Sequence, residues 1–357
     1  MASMQTKNNF GFIRLAAATL VIAGHSVALT GRQPLTWFET DIAPFALRIF
    51  FIISGYLICE SWNRDPSLYR YLAKRVLRIV PGLFAVVVLT ALVVGPLFTT
   101  LTLSQYLGYP SFRLYFWNLL LAPFFALPGV FQGNLLQAVN GSIWSIPFEF
   151  LMYVLLPLYG GRHIAACRTV LLPMALVGSN AAALYYTVAD ATAVDPVVYW
   201  TSIPSVLRFA PYFVWGAAIS AWRLERWLSL PIAVVMIGAI ALLAPIPVAR
   251  EFALLVLTPY IVLAFALSQA PGLSRVGRRA DASYGMYLYA FPIQQMLLAL
   301  AGPLSPMVLL ALATPVSYGC GLLSWHLIEH PALRLKPGRR TRPSQPGAGR
   351  PVATGEA

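Results

Sequence analysis

Charge is what this sequence lacks. Only 10% of its 357 residues are charged and 59% are hydrophobic, with a mean hydropathy of +0.71; a soluble domain carries about a quarter charged residues. A large soluble core is thereby excluded, because its apolar runs would have to alternate with polar faces, and here they do not. Cysteine is scarce too. Cys59, Cys167 and Cys320 are scattered, with no paired spacing and no metal-ligand pattern, so no metal site is expected. No internal repeat is visible, which argues against an inverted-repeat transporter. The first apolar run, residues 10–29, lacks a clean small-residue cleavage site and contains Arg14 and His25, so it reads as a retained helix rather than a signal peptide.

What is present is a series of apolar runs long enough to cross a bilayer. They fall at about 10–29, 42–61, 79–97, 112–131, 143–159, 168–188, 206–222, 229–245, 252–268, 284–302 and 306–327. The net charge of +13 does not imply a nucleic-acid partner, because the basic residues sit in short clusters between these runs, the pattern of a cytoplasmic face. Arg64, Arg70, Lys74, Arg75 and Arg78 mark the loop before the third run as cytoplasmic and put the N-terminus, with Lys7, on the same side. If 112–131 crossed, the clusters Arg162–His163–Arg168, Arg275–Arg278–Arg279 and Arg334–Lys336–Arg339–Arg340–Arg342 would all face outward. If it does not cross, they return to the cytoplasm and Asp190 and Asp195 lie outside. Pro110, Pro123 and Pro128 suit a broken or re-entrant piece. The expected fold is therefore all-α: a polytopic bundle of about ten transmembrane helices, both termini cytoplasmic, with 98–142 an outer excursion. Residues 1–335 form the membrane domain. Residues 336–357, basic and rich in Pro and Gly, are expected to be a disordered cytoplasmic tail.

An ionisable residue inside hydrocarbon is costly and marks a candidate functional site. Arg14 and His25 are eleven residues apart; at about 100° per residue this is only about 20° beyond three turns, so they share a helix face about 16 Å apart along the axis. Snorkelling by the arginine and a hydrogen-bonded core histidine would be the ordinary account. Arg75 and Arg78, at i and i+3, neighbour one another on a helix face. They suit either a membrane anchor or phosphate ligands for a cytosolic cosubstrate. Glu149 lies a turn or two inside the outer surface, with Tyr153 on the same face, and needs a partner or a proton. His326-Leu327-Ile328-Glu329-His330 matches a zinc-peptidase pattern, but Pro331 follows at once and no further ligand is evident.

Taken together and in order, several segments resemble the acyltransferase family 3 of membrane O-acyltransferases. They are Arg14 and His25; Phe50-Phe51-Ile52-Ile53-Ser54-Gly55-Tyr56; Arg75 and Arg78 with Pro81; Trp144 to Glu149 with Tyr153; Ser283-Tyr284-Gly285-Met286-Tyr287-Leu288-Tyr289 with Pro292; and Glu329 with Pro331. The resemblance implies transfer of an acyl group, usually acetyl, from cytosolic acyl-CoA to a hydroxyl of a cell-surface carbohydrate, with acyl-CoA a cosubstrate and no tightly bound cofactor. It makes His25 the base, Arg14 its companion and Glu149 a further catalytic candidate. Arg75 and Arg78 would serve the donor, and Ser54, Tyr56, Trp144, Tyr153 and Tyr284 would line the pocket. The expected partners are acyl-CoA, a lipid-linked or nascent surface glycan and the bilayer of the inner (cytoplasmic) membrane. Many members carry a histidine where this chain has Ala290, and the soluble esterase-like domain fused to some is missing. The rival reading is a transporter or flippase for a lipid-linked glycan, which would also use charges inside a bundle.

Overall fold

A computed structural model describes residues 8–188, 196–268, 272–277 and 280–337. Lys7, Asp190, Asp195, Arg278, Arg279, Arg339, Arg340 and Arg342, and the expected tail from 338 onward, lie outside the described residues.

Helices dominate because the chain offers long runs of Ala, Leu, Ile and Val in which an apolar environment leaves the backbone no partner but itself. Helix α1 spans Phe10–Leu29, α2 Ile42–Arg64, and α3 Leu68–Leu89, the last continuing through a π-turn at Thr90–Val94 to Phe98. After a 3-10 turn at Gly141–Ser145 comes α4, Ile146–Tyr159; after a π-turn at Cys167–Leu171 comes α5, Leu172–Val188. Then follow α6 (Ile203–Ala221), α7 (Leu230–Leu243), α8 (Pro247–Leu267), α9 (Ser283–Ala301) and α10 (Pro306–Ser324), with α10 extended by a π-turn at Trp325–Glu329. Seven helical runs are long and apolar enough to cross a membrane. Helices α6, α7 and α9, of 19, 14 and 19 residues, lie where the remaining three spans were expected but are not among those seven. The protein is thus an all-α, multi-pass membrane protein.

Residues 99–140 carry no continuous span. Their longest helices, Leu103–Gly108 and Pro110–Tyr115, have six residues each, and a bridge between Thr99 and Val130 closes the excursion into a loop. Backbone that is neither helix nor sheet must find partners near a membrane, and here side chains supply them. Asn118 bonds the carbonyls of Tyr115 and Phe124 and the Phe124 amide at 2.6–2.9 Å. Asn140 and Gln295 tie the end of the excursion to α9, through the Leu288 carbonyl at 2.9 Å and the Leu136 and Ala138 carbonyls at 2.6 Å.

The third helix begins earlier than the apolar run alone suggests. It starts at Leu68 rather than near residue 79, because Tyr71, Leu72 and the apolar stems of Lys74, Arg75 and Arg78 continue a helical face that hydropathy ignores. Arg75 and Arg78 therefore sit within the helix and point into the bundle.

Helices α2 and α6 meet through bare backbone. A Cβ on Gly55 would lie 2.0 Å from the Phe213 carbonyl oxygen, and one on Gly216 would lie 2.2 Å from that of Ile52. Beside this seam Phe51 stacks on Phe148 and Phe209, with centroids 5.2 and 5.7 Å apart; each such pair adds about 0.5–1.5 kcal/mol beyond its buried area.

Candidate active site

The helices border a partly open cavity of about 150 Å³. Helix α2 presents Leu47, Phe50, Phe51, Ser54, Leu57 and Ile58 to it, positions that recur every three or four residues and so form one stripe. Arg14 comes from α1, Arg75, Arg78 and Ile79 from α3, Ser145, Ile146, Glu149 and Tyr153 from the α4 region, and Ser283, Tyr284 and Tyr287 from α9.

One wall is an ion network. Asp281, just before α9, bridges two guanidiniums: Arg14 Nη2 at 3.1 Å and Arg78 Nη2 at 2.7 Å. Arg78 Nη1 also reaches Glu329 Oε2 at 3.2 Å. Glu329 is only 1% exposed and takes a hydrogen bond from Ser324 Oγ at 2.9 Å. The π-turn Trp325–Glu329 adds one residue to the turn, and Glu329, its last residue, faces α3 rather than lipid. Burial works to raise the Asp281 carboxyl, but the guanidiniums of Arg14 and Arg78 outweigh it, with help from Ser283, and hold it at about 2.

Arg75 has no carboxylate partner among the described residues. Its Nη2 donates only a long bond to Ser61 Oγ, 3.4 Å, its Nε is buried without a partner, and its guanidinium lies 5.9 and 6.0 Å from the ring centres of Tyr71 and Tyr153. Nearby, Lys336 has its ammonium held below the usual lysine range, by partial loss of solvent and then by repulsion from Arg75, Arg78 and Lys74. This end of the cavity is short of negative charge.

The opposite wall is a carboxylate network. Glu149 Oε1 accepts from Ser54 Oγ at 3.0 Å and from the Tyr153 hydroxyl. Tyr284 lines the cavity, donates to the Ile79 carbonyl at 2.8 Å and lies under the Arg78 guanidinium at 5.5 Å. At the far end, the hydroxyls of Ser145 and Tyr287 pair at 2.6 Å.

The structure thus gathers Arg14, Ser54, Arg75, Arg78, Glu149, Tyr153 and Tyr284 around one space. Tyr56 is not there. Two residues from Ser54, it points to the other side of α2, stacks on Phe10 at 5.8 Å and donates to Glu225 at 3.1 Å. Trp144 also leaves the expected lining, because the tight 3-10 turn rotates it away from Ser145 and onto Phe148 and Phe209. His25 does not line the cavity either. It makes an edge contact with Phe291, centroids 5.1 Å apart. Phe291 lies four residues beyond Tyr287 on the same helix face, so His25 sits one turn past the cavity's end. Its Nδ1 is buried without a hydrogen-bond partner among the described residues.

Asp281 escaped the sequence reading, and Glu329 entered it only as part of a motif. A signal existed: the chain has only 12 acidic residues, and these two fall near the same membrane face as Arg78, which needs an anion.

The cavity thus combines a cation-rich end with a carboxylate, Glu149, hydrogen-bonded by Ser54 and Tyr153. The family described as an acyltransferase domain matches residues 8–326, and the chain belongs to it. It is similar to an O-acetyl transferase of Shigella phage Sf6, 28% identical over 337 residues that cover 91% of this chain and 96% of that protein. It is also similar to nodulation protein 10 of Rhizobium leguminosarum bv. viciae, 29% identical over 349 residues, 92% of this chain and 94% of that protein. No solved structure matches. The chain is a multi-pass membrane acyltransferase, which sets aside the transporter reading.

Proposed function

We propose that the protein resides in the inner (cytoplasmic) membrane and transfers an acyl group, most simply acetyl, from acyl-CoA to a hydroxyl of a lipid-linked or nascent surface carbohydrate. The observation that carries this is Arg75: a guanidinium lining the cavity, beside Arg78 and near Lys336, with no carboxylate of its own among the described residues. A forked cation in that position suits a phosphate, and the donor brings several. The relative named as an O-acetyl transferase supports the choice of acetyl and of an oxygen acceptor.

The donor phosphates rest at Arg75 and Arg78, and the thioester arm runs past Arg14 toward Tyr287. His25 takes the proton of the acceptor hydroxyl. The hydroxyl oxygen attacks the thioester carbonyl, the carbon–sulfur bond breaks, and the leaving thiolate takes up a proton. Glu149, held by Ser54 and Tyr153, lies across the cavity and orients the reacting end against the guanidiniums. Closure of the bundle around these groups excludes water and strengthens each electrostatic contact.

The test uses purified protein in lipid discs with labelled acetyl-CoA and a surface-glycan extract. Label should move to glycan, and the Arg75→Ala variant should raise the apparent KM for acetyl-CoA about tenfold or more. Transfer from acetyl-CoA with an unchanged KM in that variant would reject the donor assignment, and label retained on the protein without acceptor would replace direct attack by an acyl-enzyme.

A further inference from the structure

A second polar pocket, of about 200 Å³, lies on the other side of the α2–α6 partition. Arg48, Arg208, Tyr212 and Glu251 line it. It stands near the end of the bundle where α2, α6 and α8 begin, the end opposite Arg75, and the Phe51–Phe209 stack belongs to the wall between it and the first cavity.

Its charges do not balance. Glu251 is the only carboxylate among the described lining residues, and two guanidiniums already compete for it: Arg48 Nη2 at 3.3 Å and Arg250 Nε at 3.6 Å. Arg208, an exposed residue, lines the mouth of the same space and, among the described residues, makes only a 3.4 Å bond to the Tyr186 carbonyl. Among the described residues, Arg48 and Arg208 of the lining and Arg250 beside it set three guanidiniums against one carboxylate, an excess of two positive charges. Donors are also left over. Arg48 Nη1 is buried without a partner, and so is the hydroxyl of Tyr212, a residue 1% exposed whose ring packs 5.3 Å from the Arg48 guanidinium. Buried donors left unmade cost about 1–3 kcal/mol each, so the pocket is built for an acceptor that the described chain does not supply.

We propose that this pocket binds a phosphate monoester. Such a group carries about 1.5–2 negative charges and three acceptor oxygens, which answers both the surplus charge and the unused donors; a carboxylate would answer half of it. The depth is right for a head group as well as for a dissolved phosphate, since Arg48 lies six residues into α2, about 9 Å along its axis. This site does not depend on the acyl-donor reading.

The test uses the full chain in phosphatidylcholine discs, carrying Arg75→Gln so that the first cavity does not contribute. Melting temperature is followed during titration with inorganic phosphate, and in parallel discs containing phosphatidic acid. A rise with inorganic phosphate identifies a soluble source, and a rise only with phosphatidic acid identifies a lipid head group; either supports the site if Arg48→Gln lowers the apparent affinity at least tenfold. Tyr212→Phe, which removes one hydroxyl with little change in packing, should lower it severalfold and decides the matter if Arg48→Gln does not fold. No rise in either arm, a rise unchanged by both variants, or a rise with glucuronate but not phosphate would overturn the proposal.

Discussion

Arg14 and His25 share one face of α1 yet live in opposite conditions. Arg14 is bound into a network, paired with Asp281 and through it with Arg78 and Glu329, and it opens on the first cavity. His25 is nearly free: one aromatic edge contact, and a buried ring nitrogen with no partner among the described residues. Saturation does not separate them, because Arg14 Nε and His25 Nδ1 are both buried without a partner among the described residues; what separates them is the carboxylate that Arg14 has and His25 lacks. The difference predicts that the two ends of α1 fail in different ways when altered.

The largest effect is expected at the His25 end. His25→Ala should lower transfer by about 10²–10⁴-fold, the usual contribution of a general base, while leaving the melting temperature in detergent within a degree or two. A large loss of stability with activity retained would erase the contrast. At the ion-paired end, Arg78→Ala leaves Glu329 without its guanidinium and Asp281 with Arg14 alone, and breaking such a buried pair costs about 3–5 kcal/mol. Arg75→Ala strands no carboxylate, so thermal unfolding of the two variants side by side should show a small change for Arg75 and a large one for Arg78.

A smaller effect comes from acid. The Asp281 carboxyl is held at about 2, below the unfolded value of about 3.9. Its stabilisation is therefore present above about pH 4 and fades as pH falls through about 2, with a size of about 2–3 kcal/mol. Asp281→Asn should remove that part of the acid dependence of unfolding, and an acid limb unchanged in the variant would deny the bridge. The smallest expected change is Tyr153→Phe, which removes one hydrogen bond to Glu149 at a cost of about 1–3 kcal/mol; a larger loss of activity than of stability would show that the hydroxyl serves the reaction.

The helices and the cation-rich end were legible because both rest on coarse properties, hydropathy and the cost of charge in hydrocarbon. The broken segment 99–140 was legible from its prolines. Helical phase was not. Tyr56 and Trp144 are neighbours in sequence of true lining residues, but a rotation of one or two positions puts each on another face, and the 3-10 turn before α4 leaves no mark in the pattern of residue types. Asp281 stayed hidden for another reason: it comes from a loop, where periodicity says nothing. Only its pairing with Arg14 and Arg78 in three dimensions reveals it.

The bare-backbone contact of Gly55 and Gly216 has a mechanical consequence. Two helices locked at that spacing have no side-chain layer to shear, so α2 and α6 move as one plate. That plate is the wall between the two polar pockets. An occupant on one face therefore reaches the other through its charge rather than by displacing the plate. Of the helices that line the first cavity, α3 is the one that runs on into a five-residue π-turn. An alanine at either glycine would pry the plate apart and disturb both pockets at once.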